Sequence, residues 1–246
     1  MPPPKALLVS LVLLLLAASC TVYAPMQPAM PLVSQRGQSE AGISGQCTGR
    51  LEATAAYSPL YRAVLTGGLT AAPRLSREHF LVTRQYEVGA GAYQAAGPRL
   101  LLSAVGGYGQ AYCHRGYVDL GIFGPGTYSE YEASYAKCFG QTGIAYLGDN
   151  TTLSLTYRLV KVDFNYLRDA EYGSLPLSQM LRHELAYAVH HIPAKRWQIT
   201  HTGGLSFSST PRLDAGLSHP TYSQQVYHAN RNLLPAFFLS LGVSLK

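Results

Sequence analysis

The stretch Pro235-Ala236-Phe237-Phe238-Leu239-Ser240-Leu241-Gly242-Val243-Ser244-Leu245-Lys246 decides how the rest of the chain is read. Phe237, Leu239, Leu241, Val243 and Leu245 share one parity, and Phe238, Ser240, Gly242 and Ser244 the other. Side chains alternate across a strand, so this pattern is a strand with one greasy face and one small, polar face. Both of its edges need partners. In a bilayer no water satisfies the backbone, and the demand is met by closing the sheet into a barrel.

Working upstream, strand patterns are expected at about 38–47, 49–57, 61–71, 83–95, 99–112, 133–147, 151–167, 181–192, 196–209 and 235–246. That is an even set, as single-chain outer-membrane barrels require, with eight strands as the fallback if weak patterns drop out. The connections carry as much information. Ser58-Pro59, Ala96-Gly97-Pro98, Gly148-Asp149-Asn150 and Pro193-Ala194-Lys195 are tight and built of turn formers. Longer ones near 72–82, 113–132, 168–180 and 210–234 alternate with them, and only the hairpin at Thr48-Gly49 breaks the rule. Short turns on one side and long loops on the other describe an all-β, antiparallel, up-and-down transmembrane barrel. The arrangement predicts both chain ends in the periplasm and the long loops outside the cell.

Composition agrees. Of 246 residues only 13% are charged, while Gly (24) and Tyr (18) are abundant, which suits strands, turns and interfacial rings better than a helical enzyme core. The net charge of +6 is scattered, with no run longer than Lys195-Arg196, and argues against nucleic acid as a partner. Met1 to Lys5 gives a positive start, Ala6 to Leu16 is apolar, and Ala17-Ala18-Ser19-Cys20 sets small residues before a cysteine. This is an export signal over 1–19, too short to span a bilayer, for which ~20 residues are needed. Its end resembles a lipobox, which makes Cys20 the expected lipidation site; an ordinary cleaved signal is the alternative. Residues 20–36 then read as a periplasmic tether, extended by Pro25, Pro28 and Pro31, and 37–246 as the barrel. Cys47, Cys113 and Cys138 leave room for one disulfide, with Cys113 and Cys138 near enough in the pattern to be considered.

Motifs that suggest chemistry fail on spacing. His183-Glu184 would need a histidine four residues after the first to bind zinc, and that position is Tyr187. Gly106-Gly107-Tyr108-Gly109 lacks the lysine and helix of a phosphate loop and reads as close packing inside a strand. No metal and no cofactor is expected. Ser and His at His201-Thr202, Ser218-His219 and Ser178 to His183 keep a lipid- or lipopolysaccharide-modifying barrel enzyme as an alternative, and a soluble lipocalin-like barrel is a further one. Glu87, Gln141, Arg158, Lys161 and Asp163 are the expected lumen network, pairing with one another because a small barrel is filled by its own side chains. In 151–167 the apolar parity flips near Leu159, which predicts a bulge or a strand leaving the membrane there.

Pro25 to Glu40, Glu87-Val88-Gly89-Ala90-Gly91-Ala92-Tyr93, Gly106-Gly107-Tyr108-Gly109 and Phe139-x-Gln141 with Tyr146 together resemble the small outer-membrane β-barrel lipoproteins of Bacteroidota. The resemblance implies a surface barrel and brings no activity with it. The expected partners are outer-membrane lipids, lipopolysaccharide and the barrel-assembly machinery. The reading that follows is a non-catalytic barrel lipoprotein with a structural or surface-interaction role.

Overall fold

The computed structural model describes residues 21–74, 80–119, 127–194, 197–214 and 220–245. The signal stretch, Cys20, Ser218-His219 and Lys246 lie outside the described residues. The elements in chain order are β1 (Ser39–Gln46), β2 (Leu51–Tyr57), β3 (Ala63–Ala72), β4 (Phe80–Ala95), β5 (Leu100–Asp119), β6 (Thr127–Leu147), β7 (Thr151–Asp169), β8 (Gly173–Ser174), β9 (Gln179–Ala194), β10 (Trp197–Ser208), α1 (Pro220–Arg231) and β11 (Ala236–Leu245). β8 is a ribbon of two residues on the end of β7. The other ten strands pair antiparallel in sequence order, and β11 closes the ring on β1 from Ala41↔Leu245 to Gln46↔Ser240. The fold is therefore a closed ten-stranded antiparallel barrel, and the eight-strand fallback falls away.

The terminal strand turns its greasy parity outward. Leu239, Leu241 and Val243 are 45%, 55% and 44% exposed, while Phe238 is 3% exposed and faces the lumen. Ile43, Leu65, Leu69, Val88, Ile144, Leu153, Leu155, Leu185 and Ile199 continue this apolar belt around the ring. A soluble lipocalin-like barrel would have the opposite polarity, and a belt of this kind is the outer face of a transmembrane barrel. Outward Tyr57, Tyr146 and Trp197 lie toward one rim and Tyr108, Tyr157 and Phe207 toward the other, as interfacial aromatics do.

Two ends can be distinguished. The turn end carries the connections 58–62, 96–99 and 148–150, together with Ser39 and Leu245; the loop end carries the longer connections and the short Cys47–Arg50 turn. The wall is uneven, because β5 and β6 run 20 and 21 residues while β1 and β2 run 8 and 7. Most of the stretch expected as a loop at 113–132 is thus strand: Cys113 pairs with Ala133 and Tyr117 with Ser129. Its alternation escaped notice because Cys113, Tyr117 and Tyr131 point inward, opposite to the apolar parity of the membrane portion.

The same inversion explains β7. Leu153, Leu155, Tyr157 and Leu159 face out, whereas Val160 and Val162 are buried inside and Lys161 faces out. The backbone keeps its phase through this point; what changes is the surroundings, from lipid outside to water outside. A bulge does occur, but higher, where Ser134 pairs with Tyr166 and Tyr135 with Phe164. Leu177 to Ile192, equally compatible with a helix by pattern, is mostly β9. The helix lies instead in the loop before β11, with Pro220 as its first residue, where a missing N–H costs nothing.

Candidate functional site

The lumen is the one place where charge, burial and an unexpected chain segment coincide. Residues 21–36 form neither helix nor strand, and Thr21, Val22, Tyr23, Met26, Leu32 and Val33 are almost completely buried. The stretch expected as a periplasmic tether is an internal plug. The prolines do keep it extended, but the apolar residues between them find their burial inside the barrel rather than in a solvated linker.

Its contacts order it along the barrel axis. Thr21 Oγ1 donates to the Asn232 carbonyl at 2.8 Å, the Val22 N–H donates to Asn232 Oδ1 at 2.9 Å, and Arg115 donates to the Thr21 carbonyl at 3.0 Å. Gln85 donates to the Ala24 carbonyl at 3.0 Å, and Arg50 to that of Pro25. Lower down, the Gln27 N–H donates to Glu52 at 3.1 Å, the Gln27 side chain donates to Thr202 and accepts from Ser44 and Ser240, and Gln141 donates to the Ala29 carbonyl at 2.7 Å. The Leu32 N–H reaches Glu40 at 3.1 Å near the turn end. There Gly37, with φ of 80°, reverses the chain into β1, a left-handed conformation that glycine adopts without strain.

Against the plug stands a charged ring. Glu87 on β4 binds both Lys137 on β6 and Arg158 on β7, and Arg158 Nε lies 3.6 Å from Glu184 on β9. Glu184 also accepts from the Tyr23 hydroxyl at 2.7 Å, and Arg50 pairs with Glu52 at 3.0 Å. Arg182 packs over the Tyr23 ring, 4.8 Å from its centroid, and donates to Ser206 Oγ and to the Ser206 and Leu234 carbonyls. All these charged side chains are buried, so each needs its partners. Glycine makes the room: a Cβ at Gly109 would lie 2.8 Å from Glu87 Cγ and 3.1 Å from Lys137 Cε, as expected for the close packing read from the 106–109 stretch.

Of the five lumen residues expected from the sequence, Glu87 and Arg158 meet in the ring and Gln141 holds the plug. Lys161 and Asp163 do not belong there. They face outward at the loop end, paired with each other at 3.1 Å. The inward parity of β7 is even through Arg158, Val160 and Val162, which puts the odd positions Lys161 and Asp163 on the outer face. The residues missed are Arg50 and Glu52 near the first hairpin, Lys137, which stands between Ala136 and Cys138 in β6, and Arg182 and Glu184, which stand on either side of outward His183 in β9.

The loop end is closed by α1, whose Val226, His228 and Ala229 are buried with Leu233. His228 Nδ1 shares a hydrogen bond of 2.6 Å with the Tyr131 hydroxyl and lies 3.4 Å from Asp169 Oδ2; its ring stacks on Tyr172. Burial pushes the imidazole below its ordinary value, and Arg231 adds to this, against the pull of Asp169 and Glu171. A histidine depressed in the closed state stabilises closure above its free value, about 6.5, and loses that contribution as pH falls through the window below it. Hydrogen exchange of α1 is therefore expected to quicken between pH 7.5 and 5.5, and His228→Gln should flatten that dependence. An α1 whose exchange, corrected for intrinsic rate, is equal at both pH values would refute the assignment.

The solved structures that share this architecture are remote in sequence. The outer membrane protease OmpT from Escherichia coli matches over 85% of this chain and 93% of its own, with a TM-score of 0.54 at 8% identity. It shows a shared barrel fold and nothing about chemistry. The translocator domain of the autotransporter NalP from Neisseria meningitidis aligns over 85% of this chain and 86% of its own, with a TM-score of 0.41 at 11% identity. No protein-family model and no curated protein matches the chain.

Among the described residues no group of three or more His, Cys, Asp or Glu is placed to hold a metal ion. His183 and Glu184 point to opposite faces, as strand parity requires; His183 is shared between Tyr157 at 2.6 Å and Ser209 at 2.9 Å on the outside. Cys47, Cys113 and Cys138 are free thiols. Cys113 pairs with Ala133 and points inward, while Cys138 pairs with Tyr108 and points outward, so no bridge joins them. Between Gln27 to Pro31 and the wall residues Ser44, Thr54, His190 and Thr200 about 50 Å³ is free, and between Gln27, Ala29, Glu87 and Gln141 about 10 Å³. Such spaces are of a size to hold a few waters.

Proposed function

We propose that this protein is an outer-membrane barrel lipoprotein, acylated at Cys20, whose role is structural or surface interaction rather than transport or catalysis. The observation that carries the reading is the filled lumen: the plug, the charged ring and α1 occupy the volume a solute would cross. The loops then face the outside and Leu245 the periplasm. Exposed Tyr128, Tyr222 and Tyr227 and the charged pair Lys161–Asp163 offer the loop end contacts for lipopolysaccharide or a surface partner, while the apolar belt meets the lipid tails. Delivery to the membrane falls to the barrel-assembly machinery, the partner expected for a transmembrane barrel.

Purified protein reconstituted in planar bilayers should give no conductance steps at ±100 mV, and cells overproducing it should show no change in the mass profile of their lipopolysaccharide or phospholipids. Steady channel activity of the intact chain would sink the closed-barrel reading, and a new lipid species would replace the structural role with an enzymatic one.

A further inference from the structure

The lipid-facing wall is not evenly covered. Across β1, β2 and β3 the outward residues Ala41, Ala55 and Gly67 stand in one row between Leu245 on β11 and Val88 on β4. Small side chains between large ones leave an open groove of about 720 Å³, with Trp197 at its turn end. The groove passes over Ala53, between Ile43 and Leu69, into a second space of about 530 Å³ that reaches Arg84. From Val88 to Arg84 the strand rises roughly 13 Å, half of an apolar belt about 25 Å tall, which is the depth of one leaflet's chains. A Cβ at Gly67 would come no nearer than 3.9 Å to any residue but its own chain neighbours, so packing within the wall does not demand glycine there.

Arg84 opens a second surface. It pairs across the sheet with Tyr112 on β5, then Ser134 on β6 and Tyr166 on β7, a row on the loop side of the outward rings of Tyr86 and Tyr108. The Tyr112 and Tyr166 hydroxyls both donate to Glu132, at 3.2 and 3.1 Å, and Arg168 packs over the Tyr166 ring. Arg84 is exposed, and among the described residues no carboxylate pairs with it. A guanidinium is suited to phosphate, tyrosine rings to the apolar face of a sugar, and a carboxylate with lone pairs to spare accepts from sugar hydroxyls.

We infer that this wall holds one phosphorylated glycolipid, the class to which lipopolysaccharide belongs, with its phosphate at Arg84, its sugar along Tyr112 and Tyr166, and one acyl chain in the groove over Ala53, Ala55 and Gly67. Charge selects the headgroup, and the groove is continuous with the apolar belt that meets the lipid tails. A phospholipid would fill the groove and satisfy Arg84 but leave the tyrosines and Glu132 without a sugar. That lipopolysaccharide is the source rests on the outward orientation of the loop end proposed above; the groove and the row do not depend on it.

Native mass spectrometry of the full chain, delipidated in detergent and titrated with deep-rough lipopolysaccharide, its dephosphorylated form or phosphatidylglycerol, is the test. One lipopolysaccharide should bind per barrel, about tenfold more tightly than phosphatidylglycerol. Arg84→Gln should weaken lipopolysaccharide about tenfold and leave the dephosphorylated form unchanged. Ala55→Leu with Gly67→Leu, which fills the groove, should weaken all three lipids; Gly67→Leu alone serves if the double variant loses the heat-modifiable mobility of a folded barrel. Gly140→Leu is the control, since Gly140 is also outward with nothing within 4 Å of its Cβ position but lies on β6, away from the groove, and it should bind as the native chain does. Equal binding by the groove variants and the control, or phosphatidylglycerol held as tightly as lipopolysaccharide, would overturn the inference. An epitope inserted at Gly173 that is accessible only in lysed cells would instead overturn the orientation, and with it lipopolysaccharide as the source, while leaving what the purified wall retains as measured.

Discussion

Removing residues 22–35 will convert a silent barrel into a conducting one. The plug contributes no strand, and the wall closes through β1 and β11 without it. The ion pairs of Glu87 with Lys137 and Arg158 join neighbouring and facing parts of the wall and persist when it is gone, holding the lumen apart. Water fills the vacated volume, which is lined in its lower half by Ser44, Thr54, Gln141, Ser154, Thr200 and Thr202. The Val22 hydrogen bond to Asn232 goes with the deletion and Thr21, now joined to Arg36, is drawn away from Asn232, so α1 becomes a loose lid and the conductance should flicker and become steady when α1 is also removed. The deletion also forfeits the burial of Val22, Tyr23, Met26, Leu32 and Val33, on the order of 8–15 kcal/mol as an upper bound, so the temperature at which the heat-modifiable band is lost should fall steeply. A double deletion that stays silent while remaining folded would show that the plug is not what closes the barrel.

The second large effect is expected at Glu87. This carboxylate neutralises two cations that have no access to water: Lys137 and Arg158 have side chains 0% and 1% exposed. Glu87→Gln leaves them side by side with only Glu184 nearby, and breaking a buried pair from one side costs about 3–5 kcal/mol. Much of that cost is the stranded charge rather than the lost attraction, so replacing Glu87, Lys137 and Arg158 together by apolar residues of like volume should recover most of it. Urea unfolding in detergent or lipid, followed by mobility, reads the difference. Lys161→Gln is the internal control: its pair with Asp163 is half exposed, and such surface pairs contribute about 0–1 kcal/mol. Equal losses at Glu87 and Lys161 would mean that the charged ring is not a structural element.

The barrel was legible in the sequence because membrane strands obey a strict rule. The terminal strand, Trp197 to Ser208 and Thr151 to Leu159 all alternate between lipid and lumen, and strand number, closure and the two kinds of connection follow from that alternation. What lay above the membrane was harder, since the rule inverts there. Val160, Val162, Cys113 and Tyr131 are apolar on the inward face; the membrane rule left β7 open between a bulge and a strand leaving the membrane, of which the second holds at Leu159, and made a loop of 113–132. The lumen network was half legible: Glu87 and Arg158 are charged at inward positions, but Lys137 and Glu184 face them from strands whose cation or carboxylate could equally have sat at a rim. The plug was misread because three prolines outweighed Val22, Tyr23, Met26, Leu32 and Val33, residues a solvated linker has no use for.

The seam between β1 and β11 carries a consequence for how the molecule is made. β1 is the strand from which the plug hangs, and its pairing with β11 is the stitch that closes the ring. If that stitch were taken first, the plug would have to be pushed through a finished tube past the Glu87, Lys137 and Arg158 constriction. Winding the sheet around a segment already in place avoids this. The topology thus favours closing the ring last, with the plug serving as the mandrel on which the cylinder is wound.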